Sequence, residues 1–207
     1  MRQNRKNKRF IYLISPNEIK VEEFYSNLNQ VLSSKKVSFF QLRLKKENLK
    51  KQIYIGKKIK KICKKHQVKL LINDNPIIAK KVNADGCHLG QKDMNILDAR
   101  KILKNKIIGI TCHNSINLAK KAILNGADYL AFGAFYSSKT KKVKYKANLK
   151  ILRLAKKLTN TPVVAIGGIK DTNYKKLLLN KANFLAISGY IWNNKKLSPK
   201  KAINKLV

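Results

Sequence analysis

The chain has 207 residues, 44% of them hydrophobic, and a formal net charge of +37 at pH 7 from 47 Lys and Arg against 10 Asp and Glu. Length and apolar content suit one domain with a sizeable core. The start is basic but has no apolar signal core, and the first apolar run, Phe10–Ile14, is only strand length, so neither a secretory signal nor a membrane span is expected.

Residues 1–8 read as a basic N-terminal extension, and 9–207 as one catalytic domain. Short apolar runs then alternate with longer amphipathic stretches. Strands are expected at Phe10–Ser15, Val37–Arg43, Lys69–Ile72, Gly86–Leu89, Ile107–Thr111, Tyr129–Phe132, Val163–Ile166 and Phe184–Ile187. Helical patterns lie between them, clearest at Asn48–His66, Ile116–Leu124, Leu149–Leu158 and Tyr174–Leu179. Leu149, Leu152, Leu154 and Leu158 have helical spacing, with lysines opposite. A weak repeat precedes the even-numbered strands: Asn83-Ala84-Asp85, Gly126-Ala127-Asp128 and Lys181-Ala182-Asn183. A turn-forming Asp or Asn recurs where a helix hands over to a strand, a structural task at the strand N-terminal face. Eight βα units in this length predict an α/β fold, a compact (β/α)8 or TIM barrel, with an open doubly wound sheet as the alternative.

The charge invites a nucleic-acid reading. Three features oppose it. The cations are 41 Lys and only 6 Arg, whereas base readout favours Arg. They spread over nearly every predicted helix, as solvated face charges such as Lys60. Asn and Ile, which share A/T-rich codons with Lys, are also abundant. Cys63, Cys87 and Cys112 form no CxxC pair, which suits a reducing cytoplasm, the expected location. Cys87-His88 and Cys112-His113 each offer at most one ligand on a strand, so structural zinc is not expected.

In a barrel, chemistry belongs at the strand C-terminal ends. The second strand brings Gln41, Arg43 and Lys45 to one side by alternation. The third ends in Asn73 and Asp74. His88, Gln91 and Asp93 follow the fourth, and the fifth ends in Thr111. The loop after the sixth carries Ser138, Thr140 and Lys141, and the last two strands run into Gly167-Gly168 and Ser188-Gly189. Each has a bland alternative: Asp74 as a turn before Pro76, Asp93 as an N-cap, Gly167-Gly168 as a tight turn, His88 as a packed core residue. Together they outline two anion sites. One is a backbone cradle at the last two strands, suited to a monophosphate. The other sets cations against a carboxylate pair, suited to a magnesium-bound diphosphate.

The tracts Gln41-Leu42-Arg43-Leu44-Lys45, Ile72-Asn73-Asp74, Ala84-Asp85-Gly86-Cys87-His88-Leu89-Gly90-Gln91-Lys92-Asp93, Gly126-Ala127-Asp128-Tyr129, Thr140-Lys141 and Ala165-Ile166-Gly167-Gly168-Ile169 occur here in one order. With them the chain resembles the thiamine-phosphate synthase (TenI) superfamily from about Arg9 to Trp192. The resemblance implies joining of hydroxymethylpyrimidine diphosphate to hydroxyethylthiazole phosphate, giving thiamine phosphate and pyrophosphate by a dissociative route. It implies Mg²⁺ on Asp74 and Asp93, and the diphosphate on Arg43, Lys45, Asn73 and Lys141. Gln41 and His88 would line the pyrimidine side, and Thr111 stands where the family usually has serine. Ser138, Thr140, Gly168, Ser188 and Gly189 would surround the thiazole phosphate. The family usually has glycine at the position of Lys181. A thiazole tautomerase-like relative and a non-catalytic polyanion-binding protein are the alternatives. Small phosphorylated substrates are the expected partners, with no specific nucleic acid and no membrane; a homo-oligomer stays open.

Overall fold

The computed structural model describes residues 9–137 and 144–206. In chain order these form β1 (Ile11–Ile14), α1 (Val21–Leu32), β2 (Val37–Leu42), α2 (Leu49–Lys65), β3 (Lys69–Asn73), α3 (Pro76–Val82), β4 (Gly86–Leu89), α4 (Ile96–Leu103), β5 (Ile107–His113), α5 (Ile116–Leu124), β6 (Tyr129–Gly133), α6 (Leu149–Leu158), β7 (Val163–Ile166), α7 (Tyr174–Leu179), β8 (Phe184–Ile187), α8 (Gly189–Trp192) and α9 (Pro199–Asn204). Each strand pairs in parallel with the next, and β8 pairs with β1, closing a TIM barrel. No helix among the described residues is long and apolar enough to cross a membrane.

Alternation along each strand splits the core in two. Ile11 and Leu13 of β1 face the helices, in a layer that also holds Phe40, Leu42, Leu70, Leu130 and Leu185. Tyr12 and Ile14 face the lumen, with Leu71, Tyr129, Ala131, Val164 and Ala186. Phe39 joins them, 5.1 Å centroid to centroid from Phe184 and 5.7 Å from Tyr12. Aromatic rings thus fill the lower lumen, and polar side chains gather at the other end.

Asparagine has local work in this fold. Asn48, Asn75, Asn95 and Asn148 cap α2, α3, α4 and α6, each accepting an N–H of the first turn on its side chain. The cap of α4 is therefore Asn95, not Asp93. The buried stripe of α6 is Ile151, Leu152 and Ala155, while Leu154 and Leu158 lie at the exposed edge. Lys60 is not a freely solvated helix-face charge: its Nζ lies 2.6 Å from Asp85 Oδ2.

The three-residue repeat is one device used three times. Asn83, Gly126 and Lys181 take left-handed φ values of 53°, 81° and 76° just past α3, α5 and α7. Their N–H groups bond three residues back, and the following Ala84, Ala127 and Ala182 bond five residues back, to Ala79, Ala122 and Leu177, the Schellman pattern. The Asx residue then turns onto the preceding strand. Asp85 accepts the Leu70 N–H at 2.7 Å, Asp128 the Ile108 N–H at 2.8 Å and Asn183 the Val163 N–H at 2.8 Å. These clamps sit at the N-terminal face, opposite the strand ends that carry Asp74 and His88.

Candidate active site

At the far ends of β2 to β5 the chain changes from apolar to polar within one or two residues. Gln41 lies between outward-facing Phe40 and Leu42 and is buried in the lumen. Arg43 follows β2. Its N–H donates to Ser15 Oγ at 2.9 Å and its Nη1 to Asn17 Oδ1 at 2.9 Å. Lys45 Nζ stands 2.7 Å from Asp74 Oδ2. Asn73 ends β3 in register with His88. Asp74 then takes a φ of 64° and donates its N–H to the His88 carbonyl at 2.8 Å, which brings its carboxylate back over the barrel mouth. Asp93 Oδ2 accepts the Gly90 N–H at 2.7 Å. The Asp93 carboxyl is pushed above the usual carboxylate range chiefly by burial. The adjoining Asp74 carboxylate adds to the rise, and the Gly90 N–H and Lys45 oppose it.

Two carboxylates in contact, hard oxygen donors both, suit a divalent cation that relieves their repulsion. Among the described residues no cluster of three or more His, Cys, Asp or Glu is arranged for a metal. The pair would therefore leave most positions of an octahedral ion to water and substrate oxygens, which is the habit of Mg²⁺.

Deeper in the lumen runs a hydrogen-bonded line. Tyr12 Oη is 2.8 Å from Tyr129 Oη, Tyr129 Oη is 2.8 Å from His88 Nδ1, and His88 Nε2 is 2.8 Å from Thr111 Oγ1. Burial lowers His88 to about 4 against the pull of the Asp74 charge, so the imidazole is neutral at pH 7. Burial likewise pushes Tyr129 well above the ordinary phenol value. Gly109, paired with Tyr129, leaves the space its ring occupies; a Cβ there would strike the ring. Gln91 Nε2 donates to the Thr111 carbonyl and braces the same wall.

At the ends of β7 and β8, Gly167 and Gly168 have φ of 108° and 60°. A Cβ on Gly167 would strike Ala134, and one on Gly168 the Ser137 carbonyl and Tyr136, so close approach of the β6 connection also demands glycine here. Asn173 closes this loop: its Nδ2 donates to the Gly168 carbonyl at 3.0 Å and its Oδ1 accepts the Lys170 N–H at 2.9 Å. Ser188 Oγ donates to the Ser15 carbonyl at 3.1 Å, and Gly189 opens α8. Ser138, Thr140 and Lys141 lie outside the described residues.

The expected site residues that are described thus lie at the same end of the barrel, with Gln41, His88 and Thr111 in the lumen below the rim that carries the others. Sequence reasoning did not single out Tyr12, Tyr129, Ser15, Asn17 or Asn173. For Tyr129 a signal existed: Gly109, an isolated glycine inside a strand, marks a close approach. Cys63, Cys87 and Cys112 are buried and unpaired by disulfide, and burial raises each thiol to about 12.

Fold and site together define a TIM barrel whose C-terminal face sets cations against a carboxylate pair. A family model described as thiamine monophosphate synthase matches residues 11–191. The chain is 72% identical over 206 residues, 100% of each chain to the nearest per cent, to a thiamine-phosphate synthase of Pelagibacter ubique (strain HTCC1062). It is 38% identical over 179 residues to one of Nitrosomonas eutropha, covering 86% of this chain and 84% of that one. Thiamine phosphate pyrophosphorylase from Pyrococcus furiosus superposes with a TM-score of 0.84 at 28% identity, over 97% of this chain and 94% of that one. A 3-hexulose-6-phosphate synthase, with a TM-score of 0.69 at 18% identity, shares the fold. The chain belongs to the thiamine monophosphate synthase family.

Proposed function

We infer that this chain is a thiamine-phosphate synthase, a transferase that joins hydroxymethylpyrimidine diphosphate to hydroxyethylthiazole phosphate and releases pyrophosphate. The observation that carries the reading is Lys45 bonded to Asp74 beside Asp93, with Arg43 on the same rim. A tautomerase-like relative has no leaving diphosphate to grip, and a non-catalytic polyanion binder has no use for a carboxylate pair.

Arg43, Lys45 and Asn73, joined by Lys141, hold the diphosphate. Lys45 Nζ spends one of its three N–H groups on Asp74 and keeps two to donate. The methylene C–O bond breaks and its electron pair leaves with pyrophosphate. The thiazole nitrogen then supplies the pair for the new C–N bond. Cations placed beforehand favour the departing charge more than the bound ground state. When bound by Asp74 and Asp93, Mg²⁺ adds electrostatic stabilisation of that charge. Gln41 and neutral His88 line the pyrimidine, and the His88 hydrogen bonds to Tyr129 and Thr111 fix its orientation. Gly168 and the Ser188-Gly189 backbone, with Ser138 and Thr140, take the thiazole phosphate.

The test is a coupling assay with both phosphorylated substrates and Mg²⁺. Thiamine phosphate and pyrophosphate are expected in equal amounts, with turnover in Asp74→Asn or Asp93→Asn reduced about a hundredfold or more, a loss of roughly 3 kcal/mol. No product from the wild-type chain, or mere interconversion of thiazole tautomers, overturns the reading.

A further inference from the structure

The connection from β1 to α1 meets the active rim through bonds that strand pairing alone does not supply. Ser15 N–H donates to the Gln41 carbonyl at 2.9 Å, the next rung of the parallel β1–β2 ladder after Ile14 and Gln41. A regular ladder would then send the Arg43 N–H to the Ser15 carbonyl. Instead the Ser15 hydroxyl takes that N–H at 2.9 Å and lies 3.3 Å from the Arg43 carbonyl, to which it donates. The Ser15 carbonyl is thereby left for Ser188 Oγ, at 3.1 Å. Trp192 Nε1 donates to the neighbouring Ile14 carbonyl at 2.7 Å. Ser15 and Gln41 are the buried polar side chains of the described core. A buried hydroxyl is thus the joint between the ends of β1, β2 and β8. Two residues on, Asn17 Oδ1 accepts from the guanidinium of Arg43 at 2.9 Å, and Glu18 pairs with Lys46 at 2.9 Å. The connection therefore holds Arg43 at both its backbone and its side chain.

We propose that Asn17, on a connection fixed by Ser15, is a positioning residue that aims the Arg43 guanidinium at the departing pyrophosphate. This rests on the synthase reading above. The choice of a neutral amide has a chemical reason. An Asn oxygen orients the guanidinium through one N–H and leaves its charge and its other donors for the ligand. A carboxylate at the same place would orient it as well but would cancel the charge that the ligand is to meet. Lys45, by contrast, is already paired with a carboxylate of the cation site. Arg43 is then the rim cation of the described set that is oriented without being neutralised.

Asn17 is exposed, so replacing it leaves the core untouched. The experiment measures pyrophosphate affinity with Mg²⁺ by calorimetry, alongside kcat, KM and melting temperature. It uses the wild-type chain, Asn17→Ala, Asn17→Asp, Arg43→Ala and the Asn17→Ala/Arg43→Ala double variant. Asn17→Ala is expected to weaken pyrophosphate binding roughly five- to tenfold with an unchanged melting temperature, and Asn17→Asp at least as much, although it keeps the hydrogen bond. On the Arg43→Ala background, Asn17→Ala is expected to add nothing, because the two act as one unit. Equal losses on both backgrounds, or a loss of thermal stability with unchanged affinity, would overturn the proposal. So would an Asn17→Asp variant that binds as the wild type does. A wild-type chain that couples the substrates while Arg43→Ala keeps full pyrophosphate affinity removes Arg43 from the site and this proposal with it, but leaves the synthase reading standing. A wild-type chain that neither couples nor binds pyrophosphate overturns both.

Discussion

An imidazole that bonds a phenol on one nitrogen and an alcohol on the other can be satisfied only in step with its neighbours. His88 is held that way by Tyr129 and Thr111, and burial lowers it to about 4. In the unfolded chain it titrates near 6.5. As pH falls, the unfolded state therefore takes up its proton first. The stabilisation from a neutral His88 is complete above about pH 6.5 and is lost between there and pH 4, with a slope approaching 1.4 kcal/mol per pH unit. His66 is also lowered, chiefly by burial, so the informative quantity is a difference. Denaturant midpoints measured from pH 4 to pH 7 should show a shallower slope in His88→Gln than in the wild type. Identical slopes would mean that His88 is solvated. The charged members of the site were legible because they end apolar runs at one predicted face. Tyr12 and Tyr129 were not, since tyrosine inside a strand also reads as core. Asn17 was hidden for another reason: its partner lies 26 residues away, across a turn whose course only the fold decides.

The strands and most helices were legible because apolar runs of strand length alternate with helical periods. β4, β7 and β8 coincide with expectation, and so do α5, α6 and α7. β5 runs on to His113, past its expected end at Thr111, where the β5–β6 register shifts by a residue; a bulge leaves no composition signal. The repeat before β4, β6 and β8 was legible as a pattern but not as a mechanism. The first position requires left-handed backbone, which glycine and asparagine adopt readily and lysine only at a cost. The φ of 76° at Lys181 gives a physical reason for the glycine usual in the family there. Lys181→Gly should raise stability by up to about 1 kcal/mol, or roughly 2–4 °C in melting temperature for a chain of this size. No change, or a fall, would place the strain elsewhere. Asp128→Asn should keep the clamp on β5, as Asn183 does on β7, and lose the Arg100 pair at 2.7 Å. Asp128→Ala should lose both, costing about 1–2 kcal/mol. Neither change should alter turnover per folded molecule; a lower kcat at unchanged melting temperature would contradict its place at the far face.

Across the molecule the net charge is +37, and the cations among the described residues include two contrasting populations. Many sit on outer helix faces, as Lys57, Lys58 and Lys61 do on α2. A few, including Lys60, Arg100 and Lys45, are pinned to carboxylates. Exposed charges are screened within about 10 Å at 0.1 M salt, whereas a rim cation in the proposed role would act on the leaving group at contact range. Arg43→Ala should therefore damage coupling far more than Lys61→Ala, although each removes one positive charge. Equal losses would mean that the overall field matters more than the site. DNA binding should be non-specific and should collapse between low and physiological salt. Sequence-specific binding that survived physiological salt would add a partner to the enzyme.

The Asx clamps also bear on the order of assembly. Each reaches back only 15 to 20 residues, from the turn before β4, β6 or β8 to the start of β3, β5 or β7. Each βαβ unit can close its own base with a short loop before the barrel exists. The seam between β8 and β1 has no such shortcut. Its bonds from Ser188 to Ser15 and from Trp192 to Ile14 span 173 and 178 residues. Pulse-labelled hydrogen exchange during refolding should protect Leu70, Ile108 and Val163 before Leu185, whose N–H bonds Phe10 across that seam. The joint where Ser188 meets Ser15 would then be the last part of the rim to take shape. Any kinetic intermediate would carry a formed sheet and a solvent-open mouth, and it would recover its secondary structure before the fluorescence of Trp192, which bonds across that seam, and before it could grip a diphosphate.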